Sequence, residues 1–223
     1  MRWDVILFDL DGTLTDSGPG IMHAARCALQ TLGAPDVPES ALRHFVGPPL
    51  VESFADYFPP ALVETAISHF RAYYAKTGWL ENAPYPGIAD CLAALRAAGA
   101  KLYVATSKLE RMACQVLEHF SLLSYFDGVC GGIDGDPEAG KKVNVVRRAL
   151  RLSGCDDLTR AVLCGDRCYD VLGGAQAGIA TVGVLYGYGS RDELQQAGAS
   201  FLADSPHALA QLLLTAADTQ SLT

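Results

Sequence analysis

The sequence predicts an α/β protein: a doubly wound parallel sheet with an α-helical module inserted after its first strand. Short, uninterrupted apolar runs recur along the chain, the pattern of strands buried on both faces of a parallel sheet. Stretches with helical apolar spacing lie between those runs, and this alternation builds a sheet flanked by helices. One long segment, from about Ser17 to Leu80, breaks the alternation with helical patterns alone.

The elements follow in order. Val5-Ile6-Leu7-Phe8 is the first apolar run and ends at Asp9. The helical segment then offers Ile21 to Leu32, Ala41 to Phe45, Leu50 to Phe58 and Ala61 to Lys76. Gly33-Ala34-Pro35, Gly47-Pro48-Pro49 and Pro59-Pro60 separate them as turns. Asn82-Ala83-Pro84-Tyr85-Pro86-Gly87 reads as the return hinge, which places a core domain at 1–15 and 84–223 and a helical bundle at 16–83. Past the hinge, Ile88 to Ala98 reads as a helix with Ile88, Leu92 and Leu95 on one face. Leu109 to Phe120 and Val143 to Leu152 read the same way. Strands are expected at Leu102 to Ala105, Ala161 to Cys164 and Thr181 to Val184, with a weaker one at Phe126 to Cys130. Asp218 to Thr223 are expected to fray.

Composition narrows the function classes. The chain has 223 residues, 50% of them hydrophobic, enough for one core domain with a small insert. Its net charge of −8 argues against broad contact with nucleic acid or an anionic membrane. A small anionic substrate would need a local positive site, made by a metal ion or a few lysines. The seven cysteines are odd in number, form no Cys-x-x-Cys pair and sit largely in apolar runs. They read as small buried hydrophobes in a reducing compartment. No run approaches the roughly 20 residues of a membrane span. No leader is visible, and the Asp9 motif lies too close to the start to survive cleavage, so a cytoplasmic protein is expected. A monomer or a homodimer is expected.

Four groups fall at strand ends, where open parallel sheets bind ligands. The first is Asp9-Leu10-Asp11-Gly12-Thr13. A carboxylate can attack phosphorus, and a second one two residues on can protonate the leaving oxygen and later deprotonate water. A polar turn is the plainer reading of Asp-x-Asp-Gly. The second is Thr106-Ser107-Lys108, read as a helix start whose hydroxyl and N–H groups can hold phosphate; a simple N-cap is its alternative. The third is Gly140-Lys141-Lys142, opening a helix, where a lysine could neutralise a phosphoryl group in flight or merely face solvent. The fourth is Gly165-Asp166-Arg167-Cys168-Tyr169-Asp170. Its two carboxylates, four residues apart, suit Mg²⁺, or else an N-cap with a helix-start carboxylate. Each bland alternative is reasonable alone; all four together would be a coincidence.

In order and spacing these segments resemble the motifs of the haloacid dehalogenase superfamily, over nearly the whole chain. The insert resembles that family's cap domain. Phe8 to Ser17, Phe45-Val46-Gly47-Pro48-Pro49-Leu50 and Gly183 to Gly189 resemble its phosphoglycolate phosphatase-like branch. The resemblance implies a cytoplasmic, Mg²⁺-dependent phosphatase that hydrolyses a small phosphorylated metabolite through an aspartyl phosphate. It implies Asp9 as nucleophile and metal ligand. It implies Asp11 as general acid/base, with its carbonyl at the metal, and Asp166 and Asp170 at the metal. Thr106 and Ser107, with Gly12 and Lys142, would hold the phosphate, Lys141 being the alternative lysine. Arg43 and Gly47 of the cap would contribute to selectivity. Ser107 departs from the asparagine common in the family, which bears on selectivity. Dehalogenase branches lack a carboxylate at the Asp11 position. A 5'-nucleotidase, a sugar phosphomutase and a non-catalytic phospho-metabolite binding or signalling protein are the alternative functions. Aromatics Phe70, Tyr73, Tyr74 and Trp79 read as cap core, and the five histidines carry no assigned chemistry.

Overall fold

The computed structural model describes residues 2–215, so the expected fraying of Asp218 to Thr223 lies outside the described residues. In chain order, β1 (Val5–Phe8) is followed by β2 (Thr15–Asp16), α1 (Gly18–Thr31), α2 (Glu39–Leu42), α3 (Leu50–Ala55), α4 (Pro60–Lys76) and β3 (Ala83–Pro84). The rest alternates: α5 (Ile88–Ala97), β4 (Lys101–Leu109), α6 (Glu110–His119), β5 (Gly128–Gly132), α7 (Lys142–Ser153) and β6 (Ala161–Gly165). It ends with α8 (Cys168–Ala177), β7 (Ala180–Val184), α9 (Arg191–Gln196), β8 (Phe201–Ala203) and α10 (Pro206–Thr215). Two compact units result, one running to Leu14 and resuming at Pro84, the other comprising Thr15–Ala83.

The first unit holds a six-stranded sheet in the order β5-β4-β1-β6-β7-β8, every pairing parallel. All four residues of β1 are buried, as a strand covered on both faces requires. Val5, Leu7, Tyr103, Ala105, Ala161 and Leu163 pack one sheet face against Val145, Val146, Ala149 and Leu150 of α7. The intervening residues of each strand point to the other face. The strand order reverses at β1, which β4 and β6 flank. That reversal opens a crevice beyond the carboxyl ends of these three strands.

Two features of the six-stranded sheet depart from the sequence reading. Strand β4 runs on to Leu109, with a shift of register against β5 between Ala105 and Leu109. Thr106 and Ser107 therefore lie on a strand, and helix α6 starts only at Glu110. The sheet also gains β8, whose three residues carry too little periodic signal to read as a strand.

The second unit is helical. Its interior is aromatic: Phe54 sits 4.9 Å from Phe45 and 6.3 Å from Phe70, and Phe70 stacks on Tyr74 at 5.8 Å. Phe70 and Tyr74 are buried, as a cap-core reading requires, whereas Tyr73 and Trp79 are half-buried. Tyr73 and His23 both bond the Glu81 carboxylate, at 3.0 and 2.8 Å, linking α4 and α1 to the returning chain. Among the described residues no helix is long and apolar enough to cross a membrane. All seven cysteines are free thiols, but only Cys91, Cys130 and Cys164 are buried.

Candidate active site

Nine residues converge in the crevice, all within the first unit: Asp9, Asp11, Gly12, Thr13, Thr106, Lys108, Lys142, Asp166 and Asp170. Asp9 is the residue after β1, and its N–H donates to the Cys164 carbonyl of β6 at 2.9 Å. This bond extends the parallel pairing one step past the strand and fixes where the carboxylate leaves the sheet. Asp9 Oδ1 accepts from the Leu10 N–H at 2.8 Å and lies 2.9 Å from Lys142 Nζ.

Lys142 is the first residue of α7, three and four positions before the buried Val145 and Val146. It shares their face and points inward, with 7% of its side chain exposed. Lys141 is the non-helical cap residue; it is 59% exposed and pairs with Glu138 at 2.6 Å. The geometry therefore selects Lys142 over Lys141 as the lysine inside the site. An ammonium has three N–H donors. Those of Lys142 meet Asp9 Oδ1, Asp170 Oδ1 at 2.8 Å and the Ala105 carbonyl at 3.1 Å. Burial alone would lower its pKa, but the two carboxylates outweigh burial and raise it, so it stays charged.

Asp170 serves two purposes. Its Oδ2 accepts from the Arg167 N–H at 3.0 Å and so caps the start of α8, while Oδ1 faces Lys142. The helix-start reading of this carboxylate holds, and its second oxygen faces the crevice. Asp166 is fully buried after β6. Its Oδ1 accepts from the Thr13 hydroxyl at 3.3 Å and its Oδ2 from the Tyr188 N–H at 2.9 Å. Tyr186 donates to the Thr13 carbonyl at 3.1 Å, joining the same brace. Gly12 lies against this group with φ +82°, and a Cβ there would stand 2.3 Å from Asp166 Oδ2. Only glycine satisfies both demands.

One participant escaped the sequence reading. Lys108 Nζ donates to both oxygens of Asp11, at 3.0 and 2.8 Å, with 8% of its side chain exposed. Its backbone N–H donates to the Thr106 hydroxyl at 3.3 Å. Thr106 is buried and Ser107 exposed. Thr106 and Lys108 share one side of an extended chain by the period of two; reading the segment as a helix start hid this. Arg43 and Gly47 belong to the second unit. There Arg43 is 68% exposed and 3.8 Å from Glu39, and Gly47 has φ +108°.

The charges do not balance. Asp9, Asp11, Asp166 and Asp170 face two ammonium groups, an excess of two negative charges. Burial, with Asp170 adding to it, pushes Asp166 well above the ordinary carboxylate range. Burial also raises Asp9 to about 6, against the pull of Lys142. Ligand oxygens of Asp9, Asp166 and Asp170 lie within 4.8 Å of one another. Such hard oxygen donors with excess negative charge fit a divalent cation.

Asp9 binds its proton more tightly when folded than at its ordinary pKa of 3.8, so it favours folding while protonated. That contribution is present below about pH 4 and lost as pH rises through about 6. A divalent cation should restore it. At pH 8, MgCl₂ at about a hundred times its dissociation constant should stabilise the protein by about 2.7 kcal/mol. Thermal melts should show this as a rise of several degrees, and Asp166→Asn should abolish most of it.

Relatives among known proteins extend over most of the chain. The family model described as haloacid dehalogenase-like hydrolase matches residues 6–184. A predicted phosphatase from Clostridium acetobutylicum superposes with a TM-score of 0.90 at 38% identity, over 97% of this chain and 100% of its own. The Pseudomonas aeruginosa 5'-nucleotidase is 38% identical over 87% of this chain and 88% of its own length. The tyrosine-protein kinase PtkA of Mycobacterium tuberculosis is 45% identical over 84% of this chain, which spans only 64% of that protein. The phosphoglycolate phosphatase of Caulobacter vibrioides is 35% identical over 90% of this chain and 86% of its own. The fold and the acidic crevice define an α/β protein with carboxylates gathered at the switch point of a parallel sheet; the chain belongs to the haloacid dehalogenase-like hydrolase family.

Proposed function

We propose that the protein is a Mg²⁺-dependent phosphatase that hydrolyses a small phosphomonoester through an aspartyl phosphate on Asp9. The observation that carries the reading is the buried Lys142 ammonium, shared between Asp9 and Asp170 beside Asp166. A nucleophilic carboxylate must approach an anionic phosphoryl group, and a fixed cation beside it lowers that repulsion.

A carboxylate oxygen of Asp9 bonds to phosphorus while the ester P–O bond breaks, and Asp11 gives its proton to the departing alcohol oxygen. Water then attacks the phosphorus of the acyl phosphate. Asp11 takes a proton from that water, the bond to Asp9 breaks, and inorganic phosphate leaves. The Thr106 hydroxyl and the backbone around Gly12 hold phosphoryl oxygens, whereas Ser107, exposed on the opposite side of the extended chain, does not share that face. Asp9, Asp166, Asp170 and the Asp11 carbonyl would hold Mg²⁺, which when bound neutralises charge on the phosphoryl oxygens.

Phosphate release from a panel of phosphoglycolate, nucleoside monophosphates and sugar phosphates, with and without Mg²⁺, tests the reading. Release of phosphate that requires Mg²⁺ is expected. Isomerised sugar phosphate without release would instead reveal a mutase, and stable phosphorylation of Asp9 a signalling role. The likeness to the P. aeruginosa 5'-nucleotidase makes nucleoside monophosphates the next substrate class after phosphoglycolate. The 45% identity to PtkA supports a second reading, phosphoryl transfer to a tyrosine. Phosphotyrosine formed from a nucleotide donor, in place of free phosphate, would decide for it.

A further inference from the structure

Arg167 stands between Asp166 and Asp170 in the chain and brings a further cation to the edge of the acidic crevice. It follows Asp166 directly, and its main-chain N–H donates to Asp170 Oδ2 at 3.0 Å. The Asp166 carboxylate feels its charge. A guanidinium is always charged and offers a carboxylate two parallel N–H donors, so it competes for the position a divalent cation would take. The two lysines pair with Asp9, Asp11 and Asp170 inside the site. Arg167 pairs elsewhere: its Nε donates to Glu193 Oε1 at 2.9 Å, and its guanidinium carbon lies 5.9 Å from the centre of the Tyr169 ring. Glu193 leaves a local partner to make this pair. Ser190-Arg191-Asp192-Glu193 has the spacing of a capping box, in which the glutamate turns back to the serine N–H. The Ser190 hydroxyl does its half, accepting from the Glu193 N–H at 3.1 Å. The Glu193 carboxylate goes instead to the start of α8, where the same Oε1 also accepts from the Cys168 N–H at 2.9 Å. With 19% and 25% of their side chains exposed, Arg167 and Glu193 are only partly screened by water.

We propose that Glu193 is a positioning residue of the metal site: it holds the Arg167 guanidinium outside the crevice and offsets its charge, leaving the carboxylates of Asp9, Asp166 and Asp170 to a divalent cation. Glu193 has this task only if those three residues hold Mg²⁺, so the assignment rests on the reading above. Glu193 itself touches neither metal nor substrate. Its effect passes through Arg167, so removing Arg167 must remove the need for Glu193. A scaffold role, such as tying α9 to α8 through the Cys168 N–H, makes no such demand.

Calorimetric titration of the metal-free protein with MgCl₂ tests this in the wild type, Glu193→Gln, Arg167→Met and the double variant. Glutamine keeps an oxygen for the Arg167 Nε and the Cys168 N–H but loses the charge. Glu193→Gln should raise the Mg²⁺ dissociation constant by roughly tenfold or more, the scale of one uncompensated charge near a divalent ion in a partly buried site. Adding Arg167→Met should return the constant to within about threefold of the wild type, a coupling expected only of residues that act on each other. Arg167→Met alone should bind Mg²⁺ at least as tightly as the wild type. A double variant as weak as Glu193→Gln would mean that Glu193 merely supports the fold, and overturns the proposal; so does an unchanged constant in Glu193→Gln. Should Glu193→Gln fail to fold, Arg167→Met decides alone: binding weakened roughly tenfold would make Arg167 part of the cation site and overturn the proposal. The wild type separates the two ideas. If it takes up no Mg²⁺, the metal reading falls and takes this one with it; if it binds Mg²⁺ and the variants match it, Glu193 alone is misassigned.

Discussion

Asp9→Asn is expected to lower phosphate release by roughly 10⁴-fold or more, the scale of losses when a covalent nucleophile is removed. The amide cannot form the acyl phosphate, and no other carboxylate can take its place. Asp11 is held by Lys108, while Asp166 accepts from Thr13 and Tyr188 and is fully buried. The fold should survive. Lys142 keeps Asp170 and the Ala105 carbonyl, and the amide oxygen of asparagine can still accept from it. The variant should even melt at a higher temperature than the wild type at pH 8 without metal. A carboxylate raised to about 6 by burial costs stability once ionised, and the neutral amide removes that cost. The gain should be on the order of 1–3 kcal/mol. The pair of measurements is diagnostic: activity collapses while stability rises. Retained phosphate release, or loss of activity accompanied by unfolding, would contradict the assignment of Asp9 as nucleophile.

Lys142→Met should have the largest effect on stability. It leaves Asp9 and Asp170, with 14% and 3% of their side chains exposed, buried together without their cation. Removing one partner of a buried pair costs about 3–5 kcal/mol, a fall in melting temperature on the order of 10 °C at this size. The deficit should depend on pH in a definite direction. Without Lys142 the pull that opposes burial at Asp9 is gone, so its pKa moves further above 6. At pH 5 Asp9 then takes up a proton and the repulsion with Asp170 fades; at pH 8 it is fully present. Thermal melts of variant and wild type at both pH values, without metal, check this. An equal deficit at both would show that lost packing, not charge, is responsible. Phosphate release should fall as well, because the same ammonium faces the attacking carboxylate.

Much of the site was legible because its residues mark strand ends. A buried strand announces itself as an apolar run, and the polar residue that follows must lie at the sheet's edge, where the crevice is. Asp9, Thr106 and Asp166 could be placed in that way. Asp170 could be read both as a helix-start carboxylate and as a candidate site residue, and its two oxygens allow it to cap α8 and face Lys142 at once. The choice of Lys142 over Lys141 was available from the spacing to Val145 and Val146 once the start of α7 is known. That start depends on where the preceding loop ends, and loops carry no periodicity. Lys108 was hidden for a related reason: whether the chain after Ala105 stays extended or turns helical depends on pairing with β5, a strand more than twenty residues away.

By itself the sequence determined the alternation of strands and helices, the helical insert, and the acidic, hydroxyl and lysine groups at the strand ends. These follow from local periodicity and from chemistry that does not depend on distant partners. Only the tertiary structure decided the strand order that brings β1, β4 and β6 together, the inward turn of Lys142, the Thr13–Tyr188 brace on Asp166 and the Lys108–Asp11 pair. Each joins residues far apart in the chain, and the energy that selects it exists only when burial removes water from between charges.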